Sequence, residues 1–300
     1  MSSAKRVVVA APAKINLCLH VGSRRPDGYH DLQSLVAFAA PGDTISIETG
    51  EDFCLSVDGT FAADLVADDN NLALRAARLL AEEVKFGRGA RIDLTKNLPV
   101  ASGIGGGSAD AAATLRALAC LWDMDVPDRT LYELAESLGA DVPVCIRSAP
   151  AWMEGKGERI TILPALPAAD LLLVNPGVPV PTGAVFAALR ERRGVGLDWP
   201  RGGFNSVAPL IEFLQATTND LEGPARAIAP GVGEVLGEIA GMPGALLTRM
   251  SGSGATCFAI FESDREITAA ADRLAARHPG WWIRKTTIAP PEFAAPVLFQ

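Results

Sequence analysis

A run of glycines that leads directly into an alanine-rich segment constrains this chain more than any other feature. Residues 98–113 read LPVASGIGGGSADAAA. Glycine lets the backbone take left-handed conformations and approach a ligand closely, and the first turn of a helix offers unpaired N–H groups and a positive dipole end. The stretch therefore predicts a loop, a helix that Ser108 caps, and a site for an anion such as phosphate where they meet.

Two common phosphate-binding motifs do not fit this stretch. A Walker loop requires Lys and then Ser or Thr after its last glycine, whereas Gly107 is followed by Ser108 and Ala109. The dinucleotide fingerprint G-x-G-x-x-G fails as well, because Ser108 or Asp110 stands where the third glycine belongs. A glycine-rich loop without any ligand is the alternative explanation.

Length and composition bound the class of protein. A chain of 300 residues exceeds what one hydrophobic core usually supports, so we expect two domains. No apolar run approaches the ~18 residues of a membrane span, and the formal charge of -8 disfavours nucleic acid as a partner. We therefore expect a cytoplasmic protein that binds neither membranes nor nucleic acids. The five cysteines and three histidines lack metal-ligand spacing, so we expect no structural zinc site.

The order of predicted elements indicates an α+β fold. Strands are predicted over residues 6–10, 15–21, 44–48, 53–57 and 91–94, and helices over 71–84, from 108 and over 130–138. From residue 171 to 288 the pattern is strand, helix, helix, strand, strand, helix, strand, which resembles a ferredoxin-like unit. Because the composition changes around Pro164 and Pro167, we place the domains at 1–163 and 164–300.

Polar residues in several other segments are candidates for a site. In APAKINL, the two-residue period of a strand puts Lys14 and Asn16 on one face, although a lone strand lysine usually has no function. The turn PDG presents Tyr29 and His30, a pair that suits a planar base or, alternatively, ordinary loop packing. Asp141 in LGADVPV has an alternative role as a helix N-cap.

Two further segments in the second half of the chain are predicted to be loops. MSGSGAT, residues 250–256, lies between two apolar runs and predicts a tight hairpin. A second glycine-rich loop suggests a ligand held in a cleft between the two domains. Residues 190–203, rich in arginine and glycine, predict an exposed loop without a recognisable motif.

The motifs, taken in order, resemble those of the GHMP kinase superfamily of small-molecule kinases. The segments that carry the resemblance are APAKINL, RPDGYH, NNLALRAARLL, LPVASGIGGGSADAA, LGADVPV, NPGVPVPT, TNDLE and MSGSGAT. The pairing of PDGYH with GADVPV resembles the branch that phosphorylates 4-diphosphocytidyl-2-C-methyl-D-erythritol in the non-mevalonate isoprenoid pathway, rather than mevalonate or homoserine kinases. Another GHMP alcohol kinase and a non-catalytic small-molecule sensor of the same fold are the alternatives.

This resemblance implies a fold and a chemistry. The fold would be a two-domain GHMP kinase, with an N-terminal nucleotide domain like domain 2 of ribosomal protein S5 and a C-terminal ferredoxin-like domain. ATP would be the phosphoryl donor with Mg²⁺, and the 2-hydroxyl of the small-molecule substrate would be the acceptor. The protein would be a monomer or a homodimer.

The resemblance also implies the roles of single residues. Lys14 and Asp141 match the catalytic pair, in which the aspartate takes the proton of the acceptor hydroxyl and the lysine stabilises charge. Cytosine would lie between the rings of Tyr29 and Phe186, with its edge read by His30. Residues expected to contact the erythritol and diphosphate end are Asn16 and Thr182.

The nucleotide side is implied in the same way. The residues expected to border or wrap ATP are Asn71, Lys96, Pro99, Gly103, Gly105, Gly106, Gly107 and Ser108. The wider superfamily often has a serine pair after the first glycines, and its second serine helps to hold Mg²⁺. This chain has Gly106 and Gly107 there, so the metal ligands stay unassigned.

Overall fold

The fold is described from a computed structural model of the chain, which covers residues 5–164, 166–190, 192, 194–199, 201–288 and 291–299. Within these ranges, no helix is long and apolar enough to cross a lipid bilayer.

The first half of the chain builds a sheet and a layer of helices. The strands are β1 (Arg6–Asn16), β2 (His20–Arg24), β3 (His30–Gly50), β4 (Cys54–Asp58), β5 (Gly89–Thr95), β6 (Ala151–Gly155) and β7 (Arg159–Ile162). The helices are α1 (Leu72–Glu83), α2 (Gly106–Leu121), α3 (Asp128–Leu138) and α4 (Val142–Arg147). The sheet runs in the order β1-β3-β5-β4, and β3 also pairs with β2 and β6. Helix α2 contacts β1 and β3, which places its first turn near the centre of the molecule.

The second half builds a smaller antiparallel sheet. Its strands are β8 (Asp170–Asn175), β9 (Ala245–Met250), β10 (Cys257–Phe261) and β11 (Trp282–Thr287), in the order β11-β8-β10-β9. Its helices are α5 (Thr182–Ala188), α6 (Val207–Gln215), α7 (Glu222–Ile228), α8 (Pro230–Ala240) and α9 (Asp264–Arg277). This strand order confirms the predicted ferredoxin-like arrangement. A short last strand, β12 (Val297–Phe299), returns to pair with β1.

The two sheets share a hydrophobic core along β1. Val7, Val9 and Ala11 pack with the helices of the first half, whereas Ile15 and Leu17 pack with residues of the second sheet. The β1–β3 register shifts between Pro12 and Ala13, where this change occurs. The strand that carries Lys14 and Asn16 therefore runs between the two halves of the chain.

A buried arginine also joins the two halves. Arg249 on β9 donates to the backbone oxygen of Leu17 at 2.6 Å and to those of Leu214 and Thr217 at 2.8 Å. Three carbonyls from two parts of the chain thus share one guanidinium. This arrangement fixes the segment after β1 against the second sheet.

The predicted elements differ from the structure in several places, and α4, β6 and β7 were not predicted at all. The strands predicted over 6–10 and 15–21 are one strand to Asn16 and a second from His20. Strand β3 extends over residues 30–50, although only 44–48 was predicted, because its middle residues are apolar and buried on both faces and show no alternation. In the described part of the second half, four helices rather than two separate β8 from β9, since Pro230 begins a new helix directly after α7.

Candidate active site

A cavity of about 1040 Å³ opens between the two halves of the chain. It is lined by the start of α2, the end of β1, the β2–β3 turn, α5 and the loop between β9 and β10. Every site residue predicted from the sequence lines this cavity, namely Lys14, Asn16, Tyr29, His30, Asn71, Lys96, Pro99, Gly103, Gly105, Gly106, Gly107, Ser108, Asp141, Thr182 and Phe186. The structure brings the predicted residues together around one cavity, and their roles remain a proposal.

The glycine loop enters α2 through a left-handed residue. Gly105 has φ 63° and is the residue before the helix, so α2 begins at Gly106. The prediction that Ser108 caps this helix is wrong, because Gly105, three residues earlier, is the N-cap and Ser108 lies inside the first turn. The N–H groups of this first turn border the cavity at Gly106, Gly107 and Ser108.

The second glycine-rich loop holds the first one in place. The predicted hairpin of residues 250–256 joins β9 to β10. Ser251 Oγ donates to the backbone oxygen of Gly103 at 3.0 Å and accepts the N–H of Asn16 at 3.1 Å. Thr182 Oγ1 lies 2.8 Å from Ser253 Oγ on the same loop. The two loops and the end of β1 thus form one hydrogen-bonded unit.

Lys14 and Asp141 meet at the centre of the cavity. Lys14 Nζ lies 2.7 Å from Asp141 Oδ1, and the lysine side chain is 3% exposed while that of the aspartate is 42% exposed. The N–H of Lys14 donates to the backbone oxygen of Ile104 at 2.9 Å, which ties the lysine to the glycine loop. Asp141 stands before α4 but its side chain makes no capping hydrogen bond. Asp141 therefore occupies the N-cap position that the alternative explanation predicted, but its carboxylate pairs with Lys14 instead of capping the helix.

Lys96 is buried behind the glycine loop in an ion-pair cluster. Its ammonium pairs with Asp43 and, at 2.8 Å, with Asp110 Oδ2. The other oxygen of Asp43 accepts the N–H groups of Asn97 at 2.6 Å and Leu98 at 2.8 Å. Burial alone would lower the pKa of Lys96, but the charges of Asp110 and Asp43 outweigh it and raise that pKa above its usual value. We expect Lys96 to stay charged and to balance the charge of these two carboxylates.

Asp110 is the least satisfied member of this cluster. Its Oδ2 accepts from Lys96, whereas its buried Oδ1 has no hydrogen-bond partner among the described residues. Burial raises the pKa of Asp110 to about 7, the attraction of Lys96 opposes this rise, and the nearby charge of Asp43 adds to it. Sequence analysis missed both aspartates, because Asp43 comes from β3 and only the folded chain brings it to α2.

An aromatic group lies at the other end of the cavity. The predicted turn before β3 is present, with Gly28 at φ 90° and the N–H of Tyr29 donating to Asp27 Oδ1 at 3.1 Å. His30 stacks directly on Phe186, with ring centroids 5.3 Å apart and an angle of 20° between the planes. The ring of Tyr29 is 53% exposed. The structure thus brings the three predicted rings together, but it stacks histidine on phenylalanine.

Basic side chains surround this aromatic group. Arg24, Lys156 and Arg192 line the cavity beside it, and Lys156 Nζ lies 5.7 Å from the centroid of the Tyr29 ring. Partial burial, followed by the charges of Arg192 and Arg24, lowers the pKa of His30. None of these three cations was predicted, since a basic residue at the end of a strand, in a turn or in an irregular segment carries no motif.

The remaining predicted residues have structural partners of their own. Asn16 Nδ2 donates to Ser34 Oγ at 2.8 Å, and its buried Oδ1 has no partner in the described part of the chain. Asn71 caps α1 by accepting the N–H of Ala73 at 2.9 Å. The backbone oxygen of Pro99 accepts from Ser102 Oγ at 2.6 Å. Of these three residues, Asn16 is therefore the one whose side chain has an acceptor, Oδ1, without a partner among the described residues.

Family models match both halves of the chain. The model for the GHMP kinases N terminal domain matches residues 71–149, and the model for the GHMP kinases C terminal domain matches residues 187–280. A 4-diphosphocytidyl-2-C-methyl-D-erythritol kinase of Cereibacter sphaeroides is 51% identical over 274 residues, which are 91% of this chain and 96% of that protein. One from Paracoccus denitrificans is 51% identical over 281 residues, 94% of this chain and 96% of its own length.

This chain belongs to the 4-diphosphocytidyl-2-C-methyl-D-erythritol kinase family of GHMP kinases. A crystal structure of 4-(cytidine 5'-diphospho)-2C-methyl-D-erythritol kinase is 36% identical, has a TM-score of 0.74, and is matched over 94% of this chain and 99% of that one. A homoserine kinase from Cytophaga hutchinsonii has a TM-score of 0.71 at 17% identity, over 100% of this chain and 98% of that one. The second likeness shows that the GHMP kinase fold is shared, and it carries no information about substrate.

Membership in the GHMP kinases agrees with where this chain places its two glycine-rich loops. Both loops lie at the boundary between the two halves of the kinase, and Ser251 links them. A cavity with an anion-binding helix end, a buried lysine beside a carboxylate, and an aromatic group can orient two substrates toward each other.

Proposed function

We propose that this protein transfers the γ-phosphoryl group of ATP to the 2-hydroxyl of 4-diphosphocytidyl-2-C-methyl-D-erythritol, giving the 2-phosphate and ADP. The step belongs to the non-mevalonate route to isoprenoid precursors. The names of relatives 51% identical over nine-tenths of the chain support the substrate. The observation that best supports the reaction is the contact between Lys14 and Asp141.

Asp141 acts as the acceptor of the hydroxyl proton. Its side chain is 42% exposed, and Lys14 contacts its Oδ1. In a loose phosphoryl-transfer transition state the proton leaves late, so alignment matters more than basicity. Lys14 holds the carboxylate in place and stabilises the negative charge that develops between donor and acceptor.

The ATP phosphates bind at the first turn of α2. This helix has 16 residues, and its free N–H groups at Gly106, Gly107 and Ser108 border the cavity. Lys96 shapes this loop rather than contacting the phosphates, because two carboxylates already hold its ammonium. Asn71 and Pro99 border the nucleotide. Asn71 also caps α1, and the backbone oxygen of Pro99 accepts from Ser102 in the glycine loop.

The cytidine end of the substrate binds at the aromatic group. Cytosine stacks between Tyr29 and Phe186, and it takes the place on Phe186 that His30 occupies in this structure. His30 then turns to read the edge of the base. Asn16 and Thr182 line the same cavity, and they contact the diphosphate and erythritol.

The residues of the cavity fit a magnesium ion bound with the nucleotide. Mg²⁺ prefers oxygen ligands and is usually held by one or two carboxylates together with substrate phosphates. Asp110 and Asp141 supply carboxylates to the cavity, and Asp110 has a buried oxygen without a partner in the described residues. The ion would neutralise charge on the transferred phosphoryl group.

The proposal includes the organisation of the enzyme. We propose a nucleotide domain over residues 1–163 and a second domain over 164–300, with the substrates in the cleft between them. The enzyme acts in the cytoplasm, as a monomer or a homodimer, without nucleic acid or membrane partners.

A panel of acceptors tests this function. The purified protein is mixed with ATP, Mg²⁺ and, in separate reactions, 4-diphosphocytidyl-2-C-methyl-D-erythritol, mevalonate, homoserine or galactose, and ADP is measured. We expect turnover with the cytidine substrate alone. Turnover of another alcohol in its place would assign the protein to a different GHMP reaction, and ATP binding without any turnover would make it a sensor.

A further inference from the structure

A buried carboxylate oxygen beside the nucleotide side of the cavity has no partner among the described residues. Asp110 lies in the second turn of α2, is 3% exposed, and lines the cavity together with Gly106 and Lys96. Its Oδ2 is 2.8 Å from Lys96 Nζ, but no hydrogen bond reaches its Oδ1 from any described residue. A buried acceptor that lacks a partner is costly, and more so when it carries charge. We therefore looked for a ligand that would satisfy Oδ1.

The charge of the cluster favours a cation. Asp43 is held by two backbone N–H groups and by Lys96, and Asp110 also contacts Lys96, so two carboxylates share one ammonium. When both are ionised, the cluster carries one net negative charge beneath a loop that attracts phosphate. The nearby Lys14 does not offset this charge, because it pairs with Asp141. A bare phosphate would be repelled from Oδ1, whereas a dication that arrives with the phosphates would be attracted.

Each of the other carboxylates at the cavity has a partner in the described structure. Asp141 Oδ1 pairs with Lys14. Asp68 accepts from the N–H of Asn70 at 2.9 Å and from its side-chain amide at 3.2 Å. Across the described residues there is no group of three or more His, Cys, Asp or Glu side chains that could hold a metal. A cation at this site therefore needs phosphate oxygens as well as protein, which is the usual way that Mg²⁺ binds beside nucleotides.

We propose that Asp110 Oδ1 is the protein ligand for the Mg²⁺ that accompanies the nucleotide. Lys96 and Asp43 are positioning residues, since Asp43 helps to hold Lys96, and Lys96 binds Oδ2 and leaves Oδ1 without a partner. Asp110 takes over the task in a chain that has Gly106 and Gly107 where a serine pair would stand. This inference rests on the proposed use of ATP, and it goes further by naming the residue that binds the metal.

Manganese binding tests the proposal without turnover. Mn²⁺ is titrated into the protein saturated with ADP, and free Mn²⁺ is followed by electron paramagnetic resonance. For Asp110→Asn, which keeps the size of the side chain, we expect the Kd of Mn²⁺ to rise about tenfold or more, while ADP binds without metal at least as tightly as before. The matched control Asp68→Asn removes a charge from the same cavity and should leave both constants within about twofold.

Two results would overturn the proposal. In the first, the Asp110→Asn protein keeps the wild-type affinity for Mn²⁺. In the second, the variant binds metal-free ADP so much more weakly that this loss alone explains the higher Kd of Mn²⁺. Circular dichroism checks that the variant is folded. If it is not, aspartate labelled with ¹³C in the carboxylate is incorporated into the double variant Asp68→Asn, Asp141→Asn, which leaves Asp110 as the aspartate lining the described cavity, and electron–nuclear double resonance of the Mn²⁺–ADP complex is recorded. A ¹³C coupling supports Asp110 as the ligand, and its absence contradicts it.

These outcomes are independent of the substrate assignment. A protein that binds Mn²⁺–ADP through Asp110 but does not turn over the cytidine substrate would retain this inference and lose the proposed function. If the protein turns over that substrate while Asp110→Asn binds Mn²⁺ normally, the proposed function stands and this inference is wrong.

Discussion

Lys14 Nζ and Asp141 Oδ1 are 2.7 Å apart, although one residue lies on β1 and the other immediately before α4. The lysine is buried and the aspartate is half-exposed, so the pair presents a carboxylate to the cavity with its counter-charge behind it. A merely structural ion pair would not need to leave its acid open to a ligand. The predictions below begin with this pair.

Removing the charge of Asp141 should stop transfer without unfolding the protein. For Asp141→Asn we expect kcat to fall by about 10²-fold or more, because the amide cannot accept the hydroxyl proton. The dissociation constant of ATP should change little. Asp69→Asn, which removes an exposed carboxylate paired with Arg78, is the control and should keep its rate. A kcat within threefold of wild type would exclude Asp141 from the mechanism.

Tyr29 should discriminate between the two substrates. Tyr29→Ala removes a ring that is 53% exposed at the aromatic group, and we expect CDP binding to weaken by about 1 to 3 kcal/mol, in the range of base stacking on aromatic side chains. ATP affinity should not change. Tyr29→Phe keeps the ring and should bind CDP normally by isothermal titration. Equal losses for CDP and ATP would show that the residue supports the fold instead.

Gly103 should not tolerate a side chain. Its φ is +76°, and a Cβ there would lie 2.5 Å from the backbone oxygen of Ser251. We expect Gly103→Ala to lower the free energy of unfolding in urea by about 2 kcal/mol or more, since the left-handed conformation alone costs about 1 to 2. Gly237→Ala, in α8 with nothing within 4 Å, should instead raise it by about 0.5 to 1. Equal stabilities of the two variants would contradict the described loop contact.

The charge of Arg24 should be visible in the titration of His30. Burial and the charges of Arg192 and Arg24 lower the pKa of His30, so Arg24→Gln should move it up toward the ordinary value of about 6.5. NMR of the imidazole signals measures this shift, and Arg265→Gln on the distant α9 should not produce it. If the pKa of His30 is unchanged in Arg24→Gln, the charge of Arg24 does not act on His30.

The sign of the accompanying stability effect follows from linkage. A histidine whose pKa is lower in the folded state binds fewer protons there than in the unfolded chain. Its contribution to stability is therefore present above the unfolded pKa of about 6.5 and declines as the pH falls below that value. Arg24→Gln should make this decline smaller.

The sequence predicted what short motifs encode. The turn that presents Tyr29 and His30, the hairpin of residues 250–256 and the glycine loop depend on local backbone preferences, and each is where it was expected. Asp43 and Asp110 were missed because their importance depends on Lys96, which meets them only when β3, β5 and α2 assemble. The stacking of His30 on Phe186 was missed for the same reason, since the two rings come from opposite halves of the chain.

The central claim is tested most directly by ³¹P NMR of the protein with ATP, Mg²⁺ and 4-diphosphocytidyl-2-C-methyl-D-erythritol. We expect the ATP signals to convert to those of ADP as one new phosphomonoester signal grows in equal amount, while the diphosphate of the cytidine substrate stays intact. Conversion of ATP to inorganic phosphate alone, or no consumption of ATP, would contradict the proposed transfer to the 2-hydroxyl.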